Sequence, residues 1–154
     1  MTKNTAYPQS NCSVSLVRDL CRKAEEHHNA GRFTEALVAA EKAVSACAKS
    51  PGRAHYAYPL ALCTLGWLRH SIGEAAAAVF AEAVALARTL AEEDFEHAVV
   101  VIAQAADFAR ETAHEQRYGE LGSELVDLHQ RHLGPDHPRT HQLEAKLFRL
   151  SARV

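Results

Sequence analysis

The chain has 154 residues, a formal net charge of −2 at neutral pH, and 47% apolar residues in a sequence that is only 6% aromatic. That length fits one domain, the near-balance of charge excludes the basic field of a nucleic-acid or anionic-membrane binder, and a core drawn from Ala, Leu and Val favours helix on helix. Membrane spans are not expected either, because Ala75 to Ala91 is broken by Glu82 and Arg88 and Ala98 to Ala109 is too short to cross a bilayer.

The first ten residues, MTKNTAYPQS, contain no apolar run that would serve as a secretory signal. A cytoplasmic protein is expected, with Cys12, Cys21, Cys47 and Cys63 as reduced thiols. Residues 1–12 read as a disordered tail and 13–154 as the folded domain. Long Ala/Leu/Glu/Arg-rich stretches separated by the few Gly and Pro predict helices at 13–30, 33–49, 55–71, 74–91, 95–113, 117–132 and 138–152. The run Ala98-Val99-Val100-Val101-Ile102 would suit a strand, but helical periodicity continues beyond it, so it is expected to be buried helix.

The chain repeats itself. Leu20, Ala24, Gly31, Phe33, Ala36, Leu37, Ala43 and Val44 recur 42 residues later as Leu62, Gly66, Gly73, Ala75, Ala78, Val79, Ala85 and Leu86. A looser third copy, displaced by 43, runs through Ala105, Ala109, Gln116, Tyr118, Leu121, Gly122, Leu128 and His129. Each copy reads as a helical hairpin. Small residues at Ala24, Gly66 and Ala109 let one helix approach its partner, Gly31 and Gly73 supply the turn, Phe33 and Tyr118 fill the space between helices, and Ala36 and Ala78 let the second helix pack closely.

These residues resemble the tetratricopeptide repeat over roughly residues 16 to 133, and the long period is similar to the kinesin light chain variant of that family. Leu133-Gly134-Pro135-Asp136-His137-Pro138-Arg139-Thr140 is similar to the LGPDHPxT linker between its repeats. Lys23 stands where the family pattern has Leu, Gln116 replaces the turn glycine, and the links near Ser50-Pro51-Gly52 and Glu92-Glu93-Asp94 lack the linker form. The resemblance implies an all-α, right-handed solenoid of three helix-turn-helix repeats closed by a capping helix, with the first helix of each pair lining a concave groove.

No phosphate loop, nucleophile elbow or zinc-protease motif is present, so no enzyme activity and no cofactor are expected. Cys21 and His28 recur at the repeat displacement as Cys63 and His70, but seven residues of helix separate each pair by about 10.5 Å, too far to share an ion. Retained ancestry is the simpler account. His129, His132, His137 and His141 are taken as exposed or linker histidines, and Glu92-Glu93-Asp94-x-Glu96 as a solvated loop, with a helix N-terminal turn as the alternative.

The self-alignment matches Trp67 to the charged residues Glu25 and Arg110. An exposed Trp in a groove would suit a binding hot spot, or it would pack under Arg110 or a neighbouring helix. Arg18, Arg22, Glu25, His28, Trp67, His70, Asp107 and Arg110 form the expected groove lining. The leading expectation is a non-catalytic scaffold for a protein or peptide. A regulatory sensor for a small peptide or metabolite is the second reading, and a metal protein or enzyme the third. The N-terminal end of the stack leaves a surface on which a second copy could pair.

Overall fold

The computed structural model describes residues 10–151, with side chains from Val14 onward except those at 148, 150 and 151. It contains seven α-helices and, among the described residues, no strand: α1 Ser10–Asn29, α2 Phe33–Cys47, α3 Ala57–Ser71, α4 Ala77–Leu90, α5 Phe95–Glu111, α6 Glu115–Leu133 and α7 Pro138–Ser151. All seven expected helices are present, with ends displaced by a few residues at most. The helix over Ala98–Ile102 is the expected one, burying Ala98, Val101 and Ile102. Because α1 opens at Ser10, it takes in the last residues of the expected tail, and the rest of that tail lies outside the described residues. No described helix is long and apolar enough to cross a membrane.

The chain forms two compact units, dividing inside α4 after Leu86. In the first unit α1 packs on α2 and α3, and α2 packs on α3. Its core is small-residue rich, with Ala24, Ala36, Ala40, Ala43, Cys47, Ala61 and Cys63 fully buried. The N-terminal half of α4 joins it through Phe80, whose ring lies edge-on to Trp67 at 5.4 Å, and through the Tyr58 hydroxyl, which donates to Glu82 at 3.5 Å. In the second unit α5 packs on α6 and α6 on α7, around Val101, Ile102, Leu121, Leu125 and Leu128.

Three hairpin turns share one hydrogen-bond pattern. Gly31 N–H donates to the His28 carbonyl and Arg32 N–H to that of His27; Gly73 and Glu74 do the same to His70 and Arg69, and Ala113 and His114 to Arg110 and Ala109. Each is a helix C-terminus closed by a left-handed residue, with φ of 73° at Gly31, 79° at Gly73 and 57° at Ala113. The third turn residue is therefore Ala113, not Gln116. An Ala in that conformation strains the backbone by roughly 1 kcal/mol relative to Gly, which is why the sequence gives no glycine signal there.

This pattern corrects the register of the third copy. With the turns superposed, Gly66 corresponds to Ala24 and Ala106, Trp67 to Glu25 and Asp107, and His70 to His28 and Arg110. The expected match of Trp67 to Arg110 was three residues out. It looked acceptable in the sequence because Ala106 and Ala109 are both small and both buried.

The second helices are offset again. Hydrogen bonding begins from Ala36 to Arg32, from Phe80 to Ala76 and from Tyr118 to His114, so the second hairpin carries two extra turn residues, Glu74 and Ala75. Ala78 is consequently exposed, and Phe80 occupies the buried position that Ala36 holds in the first hairpin. Phe33, expected between the helices, is 48% exposed, and its ring forms an edge-to-face pair with His28, with centroids 5.5 Å apart.

The LGPDHP segment forms a compact joint. Gly134, with φ of 95°, ends α6, and Pro138 opens α7 where its missing N–H is harmless. Thr140, fully buried, reaches back so that its hydroxyl donates to the Gly134 carbonyl at 3.0 Å, while the Arg139 N–H donates to His137 Nδ1 at 3.2 Å.

Candidate functional site

The first unit contains a half-open cleft of about 200 Å³ between α1 and α3. Val14, Val17, Arg18 and Cys21 line it from α1, and Leu60 and Thr64 face them from α3, with Tyr56, Ala57 and Ala61 completing the wall. Residues three or four apart share a helix face, so the α1 side continues from Cys21 toward Glu25 and His28, and the α3 side from Leu60 and Thr64 toward Trp67. The cleft and these residues form one stripe across the two first helices of the unit.

Of the eight expected groove residues, six belong to this unit. Arg18, Arg22 and Glu25 are exposed, and His28, Trp67 and His70 are half-buried. Arg22 already pairs with Glu26 and lies 3.8 Å from Asp19. Arg18 forms no ion pair among the described residues. Trp67 lies between the two readings of it, half-exposed yet edge-on to Phe80 and to His70, whose ring centroid is 5.9 Å away. The remaining two, Asp107 and Arg110, lie in the second unit, where they pair with each other at 3.3 Å on one face of α5.

What the sequence did not single out is the cleft itself. Among its lining residues only Arg18 was expected at a site. The missing signal was apolar: Val14, Val17 and Leu60 look like ordinary core positions, and only the packing of α1 on α3 shows that they border open space.

The thiols are poor nucleophiles. Burial raises the Cys21 thiol, with a hydrogen bond from Thr64 opposing the rise and Glu25 adding to it. Burial pushes Cys47 up to about 11 and Cys63 up to about 12. Such thiols stay protonated at neutral pH. No group of three metal-ligating side chains occurs among the described residues.

In the second unit His141 is exposed and His137 lies in the linker, as expected, whereas His129 is not where the sequence placed it. His129 is buried, not exposed, with its Nδ1 2.8 Å from the Leu125 carbonyl, and it meets Phe95 edge-on while His132 stacks on the same ring at 4.7 Å. Asp94 caps α5 by accepting from the His97 N–H at 3.4 Å. Glu92 pairs with Arg131, and Glu96 takes both arms of Arg139 at 2.8 and 2.9 Å. That bidentate bond holds the Glu96 carboxyl below its ordinary range. The run is therefore an exposed turn at Glu92 and Glu93 that leads into the capped N-terminus of α5, with Glu92 and Glu96 reaching Arg131 and Arg139 at the surface.

No family model matches the chain, and no curated protein matches it either.

Proposed function

We propose that the chain is a non-catalytic scaffold of the tetratricopeptide type, holding a protein or peptide segment against the first helices of its hairpins. Its reading as a right-handed solenoid closed by α7, and its cytoplasmic location, are parts of the same proposal. One observation carries it: the cleft between α1 and α3 borders open space, with Arg18, which forms no ion pair among the described residues, on its wall. The three turns built alike support the repeat reading, and the protonated, buried thiols weigh against a cysteine nucleophile. A small-molecule sensor is less well supported, since the cleft of about 200 Å³ is smaller than the roughly 300–1,000 Å³ of ordinary ligand pockets.

The test compares partner capture from the native host by the wild-type chain, Arg18→Glu and Trp67→Ala, each checked by far-UV circular dichroism. Loss of the same partner by both variants at unchanged helicity is expected. Undiminished capture by both would contradict the proposal.

A further inference from the structure

With the turns superposed, Leu16, Leu20, Lys23 and His27 of α1 correspond to Tyr58, Leu62, Leu65 and Arg69 of α3. Tyr58, Leu62 and Leu65 are buried, at 3%, 3% and 6% exposure. Arg69, the next member of the stripe, reaches Glu41 of α2 at 3.5 Å, so this side of α3 turns toward the preceding hairpin. On α1 the same side stays open: α1 packs on α2, α3 and Ala48–Gly52, and Leu16 is 52% exposed.

The open stripe is not simply apolar. Leu16 and Leu20 keep large apolar side chains where α3 has Tyr58 and Leu62, whereas Lys23 replaces Leu65. Lys23 is exposed and forms no ion pair among the described residues. Asp19, one turn before it, has Arg22 at 3.8 Å, with both side chains more than half exposed, a pair that holds its carboxylate weakly. A face with one cation and one anion a turn apart complements itself, because a two-fold axis sets each against its opposite. The spacings of four, three and four along Leu16, Leu20, Lys23 and His27 are the seam spacings of paired helices.

We infer that α1 pairs with α1 of a second copy of this chain, antiparallel about a two-fold axis near residues 21 and 22. Leu20 then packs on the aliphatic stem of Lys23 of the partner subunit, whose ammonium meets Asp19, and every contact occurs twice. Val14, Arg18 and Cys21, which line the cleft, lie on a different side of α1, so pairing leaves the cleft accessible. The inference goes beyond the scaffold reading and does not depend on it.

Sedimentation equilibrium of the full chain should show a monomer passing to a dimer, half-associated at a concentration on the order of 0.1 mM, as suits the weak end of specific interfaces. Asp19→Lys and Lys23→Glu each set like charges together and should each raise that concentration about tenfold or more. An equimolar mixture of the two variants should associate as the wild type does, since the swapped charges then meet their opposites. Leu16→Lys should weaken the dimer to a similar degree. All three positions are exposed, so unchanged far-UV circular dichroism is expected. Leu16→Lys keeps the test decisive if a charge variant does not fold.

A wild-type chain that stays monomeric at about ten times the expected concentration would overturn the inference. So would a dimer that survives Leu16→Lys and both charge variants, since its contact would lie elsewhere, or charge variants that remain apart when mixed. Capture of a native partner is scored separately, so loss of the dimer leaves the scaffold reading in place.

Discussion

Gly66 lies so close to the ring of Phe80 that a Cβ at position 66 would stand 2.8 Å from Phe80 Cε2. The ring cannot retreat cheaply, being 3% exposed and flanked by Trp67. Gly66→Ala is therefore expected to lower stability by about 1–3 kcal/mol despite its better helix propensity. In Gly66→Ala/Phe80→Leu the penalties should be strongly non-additive, a coupling that a double-mutant cycle in urea would measure.

Gly122 gives the contrast. A Cβ there would meet Leu147 Cδ2 at 2.9 Å, the far end of a flexible side chain. Gly122→Ala should be near neutral or stabilising by up to about 1 kcal/mol. A marked fall in the urea midpoint would show that α6 and α7 pack more rigidly than this contact implies.

Ala113 occupies a left-handed turn at φ 57° that glycine fills in the other two hairpins. Ala113→Gly should raise stability by about 0.5–1 kcal/mol, the relief of strain exceeding the added freedom of the unfolded chain. Gly31→Ala and Gly73→Ala should lower it by about 1 kcal/mol, although no atom obstructs a Cβ at either site.

Thr140 ties the joint between α6 and α7 through its bond to the Gly134 carbonyl. Thr140→Val keeps the shape and removes the donor, with an expected loss of about 1–2 kcal/mol. Hydrogen exchange should localise the effect to the joint, with faster exchange at His137 and Thr140.

Cys63 and Cys47 ionise near 12 and 11 in the fold against an ordinary value of 9.0. Below pH 9 both folded and unfolded thiols are protonated, and the stability from their burial is fully present. Above pH 9 the unfolded chain ionises first, so stability falls as pH rises toward the folded values. The urea midpoint should drop between pH 8.5 and pH 10.5, and the drop should be smaller in Cys63→Ala. An equal drop in that variant would assign the alkaline loss to other groups.

The helices were legible because Ala- and Leu-rich periodicity with sparse Gly and Pro marks them directly. The first and second turns were legible because each needs a glycine at positive φ. The third was missed for the same reason in reverse: Ala113 tolerates the strain, leaving Gln116 as a false landmark and shifting Arg110 opposite Trp67. The two-residue extension at Glu74 and Ala75 hid the role of Phe80, since an alignment at constant displacement cannot register a longer turn. At the candidate site, the charged residues on the first helices stood out by spacing, whereas the apolar cleft beside Arg18 depends on how α1 leans on α3, which periodicity does not encode.

The central claim is that the first-helix face of the first unit carries the partner. Site-specific photo-cross-linking in the native host tests it most directly, with the cross-linker placed at Arg22 or Glu25 on α1 and, for comparison, at Lys42 or Ser45 on the exposed side of α2. The account predicts one discrete adduct from the α1 positions, lost on adding Arg18→Glu, and none from the α2 positions. An adduct from α2 with none from α1 would contradict it.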